Sequence, residues 1–473
     1  MNYMNFILTL LMLVFSKAGI TFPTDGDVLN YREFNVQWTQ IKNATAYEVK
    51  VINNDAVIYS EVDYSLVRII KSDEITFDNS YTIVVTPISD SELIESLADS
   101  ISISTRPLPE HFSMDLFGGG LEVTIYDTTQ MYHGYTMLPE KIINKYGEIV
   151  WFWPNQNRYF WNITEQLDNG ELIGILRNNA WNQSGANGQR GVRVNIDGNI
   201  LFETDFNIQR EFHSHSTIDS ELTYLTFVKD YFINPLTGLE IYGDLITEVD
   251  NVGNIIFEWN VKDYFAYEDV DPNATPNDWT HCNAIFFDYE DSAIYLSCRH
   301  LSRITKISYP DGEVMWNMGR QFISEDVDFG DELGLSWQHA IKKLSNGNLM
   351  LFDNGNNDDP QLSRGIEFSV NEEEGNYSAE IIFEYTLPDS LFGYKWGDCD
   401  QLPNGNMVLT SGPYGAVIEV SPQGELVSSI LNAGGTYRTE RINGIHPLAF
   451  SILTPNFNNN NTINTSYLPV GES

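Results

Sequence analysis

The sequence predicts an all-β protein: a small N-terminal β-sandwich followed by a six-bladed β-propeller. Three observations predict it. Residues 20–106 carry apolar positions in strict alternation, as in NVQWTQIKNATAYEVKVI and SYTIVVTPI, and period-two patterning between polar turns means strands. Residues 110–453 repeat one short phrase six times, each time a turn followed by apolar alternation. A second phrase, an apolar strand running into a turn and a further strand, interleaves with the first. Strand-rich units recurring every roughly 50 residues cannot bury their faces alone, so neighbours must stack around an axis.

Taken in order, the chain opens on FILTLLMLVF at 6–15, an apolar run too short to span a bilayer, followed by Ser16-Lys17-Ala18. Residues 1–18 therefore read as a secretory signal cleaved after Ala18, although no Lys or Arg precedes the run. Residues 20–106 have the spacing of a fibronectin type III or immunoglobulin-like sandwich, and Pro107-Leu108-Pro109 reads as its linker. The six copies of the first phrase are KYGEIVWFW at 145, IDGNILFET at 196, NVGNIIFEW at 251, PDGEVMWNM at 310, the degenerate SAEIIFEY at 378 and PQGELVSSI at 422. The second phrase occurs as NITEQLDNGELIGIL at 162, HSHSTIDSELTYLTF at 213, HCNAIFFDYEDSAIYLS at 281, HAIKKLSNGNLMLF at 339 and GDCDQLPNGNMVLT at 397. The Asn-rich end, 454–473, reads as a disordered tail.

Composition narrows the function. The 473 residues include 26 basic and 66 acidic ones, a formal charge of −40. Nucleic acid and anionic membrane both require basic patches, so neither is an expected partner, and no segment has transmembrane length. Three cysteines, Cys282, Cys298 and Cys399, without a CxxC pair, exclude a disulfide framework and a Cys-rich zinc site.

The second phrase carries the candidate chemistry. His339 and His213 each stand five residues before the apolar residue that opens the turn, with Asn162 and Gly397 in the same phase and His281 in a similar place. Equivalent positions in a propeller lie at equal distances from the axis, so three of the eight histidines are expected to converge on one funnel. Asn283 lies two residues beyond His281 and shares its face in a strand. Arg299 follows the next strand, and an arginine there calls for an anionic partner. Three histidines could instead bind Zn²⁺, but Arg299 would repel a dication and suits an oxyanion. DNGNNDDP at 353 lacks the spacing of a calcium loop, and no phosphate-binding glycine motif is present. Neither a metal nor a cofactor is expected.

GEIVWFW, DWTHCNAIFF, SCRHLSRITKI and WQHAIKKLSNGNLMLFDNG, in that order, resemble the bacterial arylsulfate sulfotransferase family over residues 110–453. The resemblance implies a six-bladed propeller preceded by a small sandwich. It implies export to the periplasm or the exterior, and transfer of a sulfuryl group from aryl sulfates to phenols without a nucleotide donor. It implies His339 as the transiently sulfurylated nucleophile, with His281 and Asn283 lining the sulfate site and Arg299 holding sulfate oxygens. His213 matches the remaining active-site histidine loosely: the family shows adjacent histidines followed by Asp, whereas this chain has H-S-H, which makes His215 a competitor. Tyr437, in GTYRTERINGIHPLAF, is expected to reach the funnel. A non-catalytic exported propeller that binds glycans or protein partners is the alternative, a metal- or quinone-dependent enzyme a third reading, and a homodimer stays open as the assembled state.

Overall fold

In the computed structural model the chain divides into two units, residues 1–108 with 446–473 and residues 109–445. Residues 17–112, 121–178, 188–216, 222–324, 326–373, 375–431 and 434–446 are described, with strand pairing alone at 448–450 and 466–468. Regular structure among them consists of strands and short 3-10 turns, so the all-β expectation holds. The expected signal core and most of the expected tail lie outside the described residues. Ala18, the expected cleavage residue, is buried, and its amide donates to the Leu97 carbonyl (2.9 Å). No helix among the described residues is long and apolar enough to cross a membrane.

The N-terminal unit holds two larger sheets and, among the residues with strand pairing, a two-stranded one of Leu448–Phe450 and Ser466–Leu468. Of the larger two, one joins Ile20–Phe22, Phe34–Trp38 and Val67–Ile70. The other centres on Ala46–Asn53, Ser80–Ser89 and Asp99–Thr105. The alternating residues read from the sequence point inward: Trp38, Tyr47, Val49, Val51, Tyr81, Ile83 and Val85 are all buried. Trp38 meets Tyr47 across the two sheets at 5.5 Å.

Among the described residues the second unit holds six sheets in chain order. The second to fifth are four-stranded meanders that begin at Tyr159–Gln166, Gln209–Ser216, Cys282–Asp288 and His339–Lys343. The sixth begins at Asp398–Gln401 and takes Glu122–Ile125 from the start of the unit as a fifth strand. The first takes Glu440–Ile442 from the end of the unit beside Tyr135–Leu138. Both ends of the unit are thus tied into sheets built from its opposite end. The six copies of the first phrase form the last strand of each meander, from Ile149–Phe152 to Leu426–Leu431, the latter covered by Glu122–Ile125. Their glycines, Gly147, Gly198, Gly253, Gly312 and Gly424, all have φ between 76 and 95°, a left-handed turn that glycine adopts without a Cβ clash. Apolar clusters join consecutive sheets: Trp161, Ile173 and Phe202 of the second meet Phe212, Tyr224 and Val249 of the third. Leu138 and Ile143 of the first meet Val408, Val417 and Ile430 of the sixth.

Candidate functional site

The site is built where the first strands of the third, fourth and fifth sheets begin. Each of these strands carries a register shift near its start: between Gln209 and Phe212, between Cys282 and Ala284, and between His339 and Lys342. Arg210 (φ 41°), His281 (φ 46°), Trp337 (φ 59°) and Ala340 (φ 61°) are left-handed there although they bear side chains. Such conformations cost energy and survive only where the surroundings enforce them. Arg210, His281 and His339 stand at the heads of these strands, near enough that the charge of Arg210 acts on His281 and those of Arg299 and His281 on His339, with Arg299 and His300 arriving from the end of the next strand of the fourth sheet.

His339 is buried, 1% exposed. Its Nδ1 lies 2.7 Å from Asn354 Oδ1 and 3.2 Å from the Trp337 carbonyl. The Asn354 amide is fixed in that orientation because its Nδ2 donates to the carbonyls of Gly393 (2.5 Å) and Trp396 (2.9 Å). Both neighbours of Nδ1 are acceptors, so Nδ1 carries the proton and Nε2 keeps its lone pair. Nε2 has no hydrogen-bond partner among the described residues. Burial, reinforced by the positive charge of Arg299, holds the imidazole well below its usual range, so it is neutral at neutral pH.

The same reasoning assigns the neighbouring rings. His281 Nδ1 sits 2.5 Å from Asp278 Oδ2, so its Nε2 is the free acceptor. His300 Nδ1 faces the Asp278 carbonyl at 2.6 Å, which leaves its Nε2 to accept from Arg299 Nη1 at 2.9 Å. Arg299 also donates through Nη2 to the Tyr394 carbonyl (3.1 Å) and stacks 3.9 Å above the Trp337 ring. Its Nε is buried without a partner among the described residues. Burial lowers its pKa to about 10, and it remains a cation at any working pH. Burial and the field of Arg210 bring His281 down to about 3.

Sequence reasoning missed His300, Asn354 and Trp337, and it missed Arg210. Its Nε donates to the Cys282 carbonyl (2.6 Å) and its Nη2 pairs with buried Asp244. Asp244 in turn accepts from Thr280 and from the Cys282 amide. A basic residue at the head of a strand in so acidic a chain was the available signal. Tyr437 closes one wall: its ring stands 6.2 Å from that of His339 and its hydroxyl donates to the Asn283 carbonyl (3.0 Å). Asn283 is fully buried, and its Nδ2 donates to the Gln338 carbonyl (2.7 Å). It braces the strand that bears His339.

The two histidines of H-S-H do not join this group. His213 Nε2 lies 2.5 Å from Glu211 Oε2. With Ser214, Glu165, Lys342 and Glu440 it lines a cavity of about 430 Å³ whose lining includes none of His281, Arg299 and His339. His215 is buried, bonded to Glu248 (2.9 Å) and packed 3.9 Å from the Phe287 ring. Neither ring bonds to or stacks on His281, Arg299 or His339 among the described residues, although Glu211, the partner of His213, also pairs with Arg438 (2.9 Å), which donates to the Asn283 carbonyl (2.8 Å). Three convergent histidines, the premise of a zinc site, are therefore not assembled from His213, His281 and His339. Asp278, His281 and His300 do lie together. Their donor set suits a cation poorly, because Arg299 occupies His300 Nε2 and Asp278 holds the protonated nitrogen of His281.

A family model described as Arylsulfotransferase (ASST) matches residues 131–434. No curated protein matches the chain. Among solved structures, a protein of unknown function from Bacteroides caccae is similar at 12% identity and a TM-score of 0.39, over 66% of this chain and 97% of that one. The β-propeller domain of Cps50 (Swd1) from Myceliophteria thermophila is similar at 10% identity and a TM-score of 0.36, over 65% of this chain and 89% of that one. A virginiamycin B lyase from Staphylococcus aureus stands at 14% identity and 0.34, over 65% and 73%.

Proposed function

The chain belongs to the arylsulfotransferase family, and we propose on that premise that it transfers a sulfuryl group from an aryl sulfate to a phenol through a sulfohistidine at His339. The observation that carries this reading is the pinned tautomer: a neutral, buried imidazole with Nδ1 tied to Asn354 and Nε2 free. In the first half-reaction Nε2 attacks sulfur, the N–S bond forms, the S–O bond to the aryl group breaks, and the aryloxide leaves with the electron pair. In the second, the phenol oxygen attacks the same sulfur, its proton passes to His281 Nε2, and the N–S bond returns its electrons to His339. Splitting the transfer in this way gives ping-pong kinetics and needs no nucleotide donor.

Arg299 and Arg210 supply fixed positive charge for the sulfate oxygens and for the aryloxide, and preorganised charge in a water-poor site contributes more to rate than any other single effect in most such reactions. The His300 ring and the Trp337 face hold the Arg299 guanidinium in place. A bound sulfate ester offsets the field of Arg210, so His281 becomes more basic when the site is filled than when it is empty. Around this chemistry we infer six blades, one per sheet, with a fibronectin III or immunoglobulin-like unit before them and export directed by residues 1–18.

The test is release of 4-nitrophenolate from 4-nitrophenyl sulfate with phenol as acceptor. His339→Ala should reduce turnover at least 10³-fold, and donor alone should leave His339 heavier by one sulfuryl group in intact-mass analysis. Full turnover by the variant would remove His339 from the reaction. Absence of turnover and of label in the wild type would favour a propeller that binds without transferring.

A further inference from the structure

A thiol pair that the proposed reaction does not use lies beside the site. Cys282 sits between His281 and Asn283, and Cys298 immediately precedes Arg299. The two are direct partners across adjacent antiparallel strands. Their sulfurs lie 3.0 Å apart, both fully buried. Antiparallel partners have Cα atoms about 4.5–5.5 Å apart, inside the range of about 4.4–6.8 Å that a disulfide spans. Cys399 belongs to another cluster, packed among Met350, Phe352 and Leu409, and has no thiol near it among the described residues.

We propose that Cys282 and Cys298 form a disulfide when the chain folds in an oxidising compartment, and that this bond staples the two strands that deliver His281, Asn283 and Arg299. The oxidant is a small-molecule or protein disulfide. One thiolate attacks a sulfur of that oxidant, forming a mixed disulfide and releasing one thiol. The second cysteine then attacks the sulfur of the first, the intramolecular S–S bond forms, and the second oxidant thiol leaves. Two protons and two electrons pass from the pair to the oxidant, which ends as two thiols. Burial in the finished sheet shields both sulfurs, so oxidation precedes closure of the fourth sheet against the third. In the finished protein the bond is slow to reduce.

The context is the export reading above, but the test stands apart from it. The full chain, produced with reduced thiols, is unfolded and refolded with a mixture of reduced and oxidised glutathione, then quenched in acid, denatured and alkylated. One free thiol per chain, at Cys399, with a Cys282–Cys298 crosslinked peptide is the expected result. Three alkylated cysteines, or a crosslink to Cys399, would overturn the proposal. Dithiothreitol added to the oxidised, denatured chain before a second refolding should lower Tm by several degrees. The doubly substituted Cys282→Ala, Cys298→Ala chain should show no response to thiol or disulfide. An unchanged Tm in the reduced wild type would overturn the staple while leaving the sulfotransfer reading to its own assay.

Discussion

At the residue scale, the decisive question is why His339 enters the site and His213 does not. The sequence placed them in one phase, and the register agrees: His339 pairs with Phe352 and His213 with Leu225, each the fourth residue of the following strand. The difference is the bulge. In the fifth sheet the shift falls between His339 and the turn; in the third it falls at Arg210 and Glu211, so His213 lies on the turn side of it. A shift of one residue exchanges the two faces of a strand. Where a bulge falls depends on backbone packing that periodicity does not display, so His339, His281 and Arg299 were legible and Arg210 was not. The pinned tautomer of His339 gives a sharp prediction. Asn354→Asp puts a charge beside Nδ1, raises the basicity of the ring and makes more of it protonated as pH falls. The acid limb of the pH–rate profile for the first half-reaction should therefore move upward in this variant, while that of the wild type stays well below the ordinary imidazole range. Asn354→Ala should cost about 10–100-fold in rate without that displacement. An unmoved limb in Asn354→Asp would detach Asn354 from the nucleophile.

At the scale of elements, the repeat phrases were legible because each copy combines two local requirements, a left-handed turn and an alternating strand. The strands that tie the ends of the unit, Glu122–Ile125 and Glu440–Ile442, carry neither phrase, and their partners lie some 300 residues away in sequence; nothing local announces them. Glycines within these elements differ in what they do, and that difference is measurable. A Cβ on Gly253 would meet nothing within 4 Å, and its only demand is φ 95°. A Cβ on Gly191 would stand 2.2 Å from the Phe212 ring. Phe212 cannot yield, because it is buried in a stack with Phe202 and Tyr224 at 6.3 and 4.9 Å. Gly253→Ala should cost about 1 kcal/mol, the left-handed penalty alone. Gly191→Ala should cost about 1–3 kcal/mol through overpacking. Urea denaturation of both variants checks the order, and an equal loss would mean that the stack moves aside.

At the scale of the whole molecule, the charge of −40 and a set of buried imidazoles act on stability from opposite ends of the pH range. Above pH 5 the acidic excess repels itself, so added salt should raise Tm by screening. Acid works through the histidines. Burial holds His281 at about 3, His446 at about 4, and His300 and His339 below their usual range as well. In the unfolded chain each returns to about 6.5. As pH falls through 6.5 the unfolded chain takes up protons that the folded one refuses, and stability declines until the folded values are reached. His446 isolates the effect, because it belongs to the N-terminal unit and takes no part in the proposed chemistry, with Nε2 2.6 Å from the Glu33 carbonyl. Its depressed value alone corresponds to a loss of about 3 kcal/mol at pH 4. Replacing it by glutamine, which keeps a donor and does not titrate in this range, should flatten the fall in stability between pH 6.5 and 4 while leaving sulfotransfer at pH 7 unchanged. If the acid slope of His446→Gln matches that of the wild type, the His446 ring is not held neutral by burial, and its share of the acid sensitivity belongs to other groups.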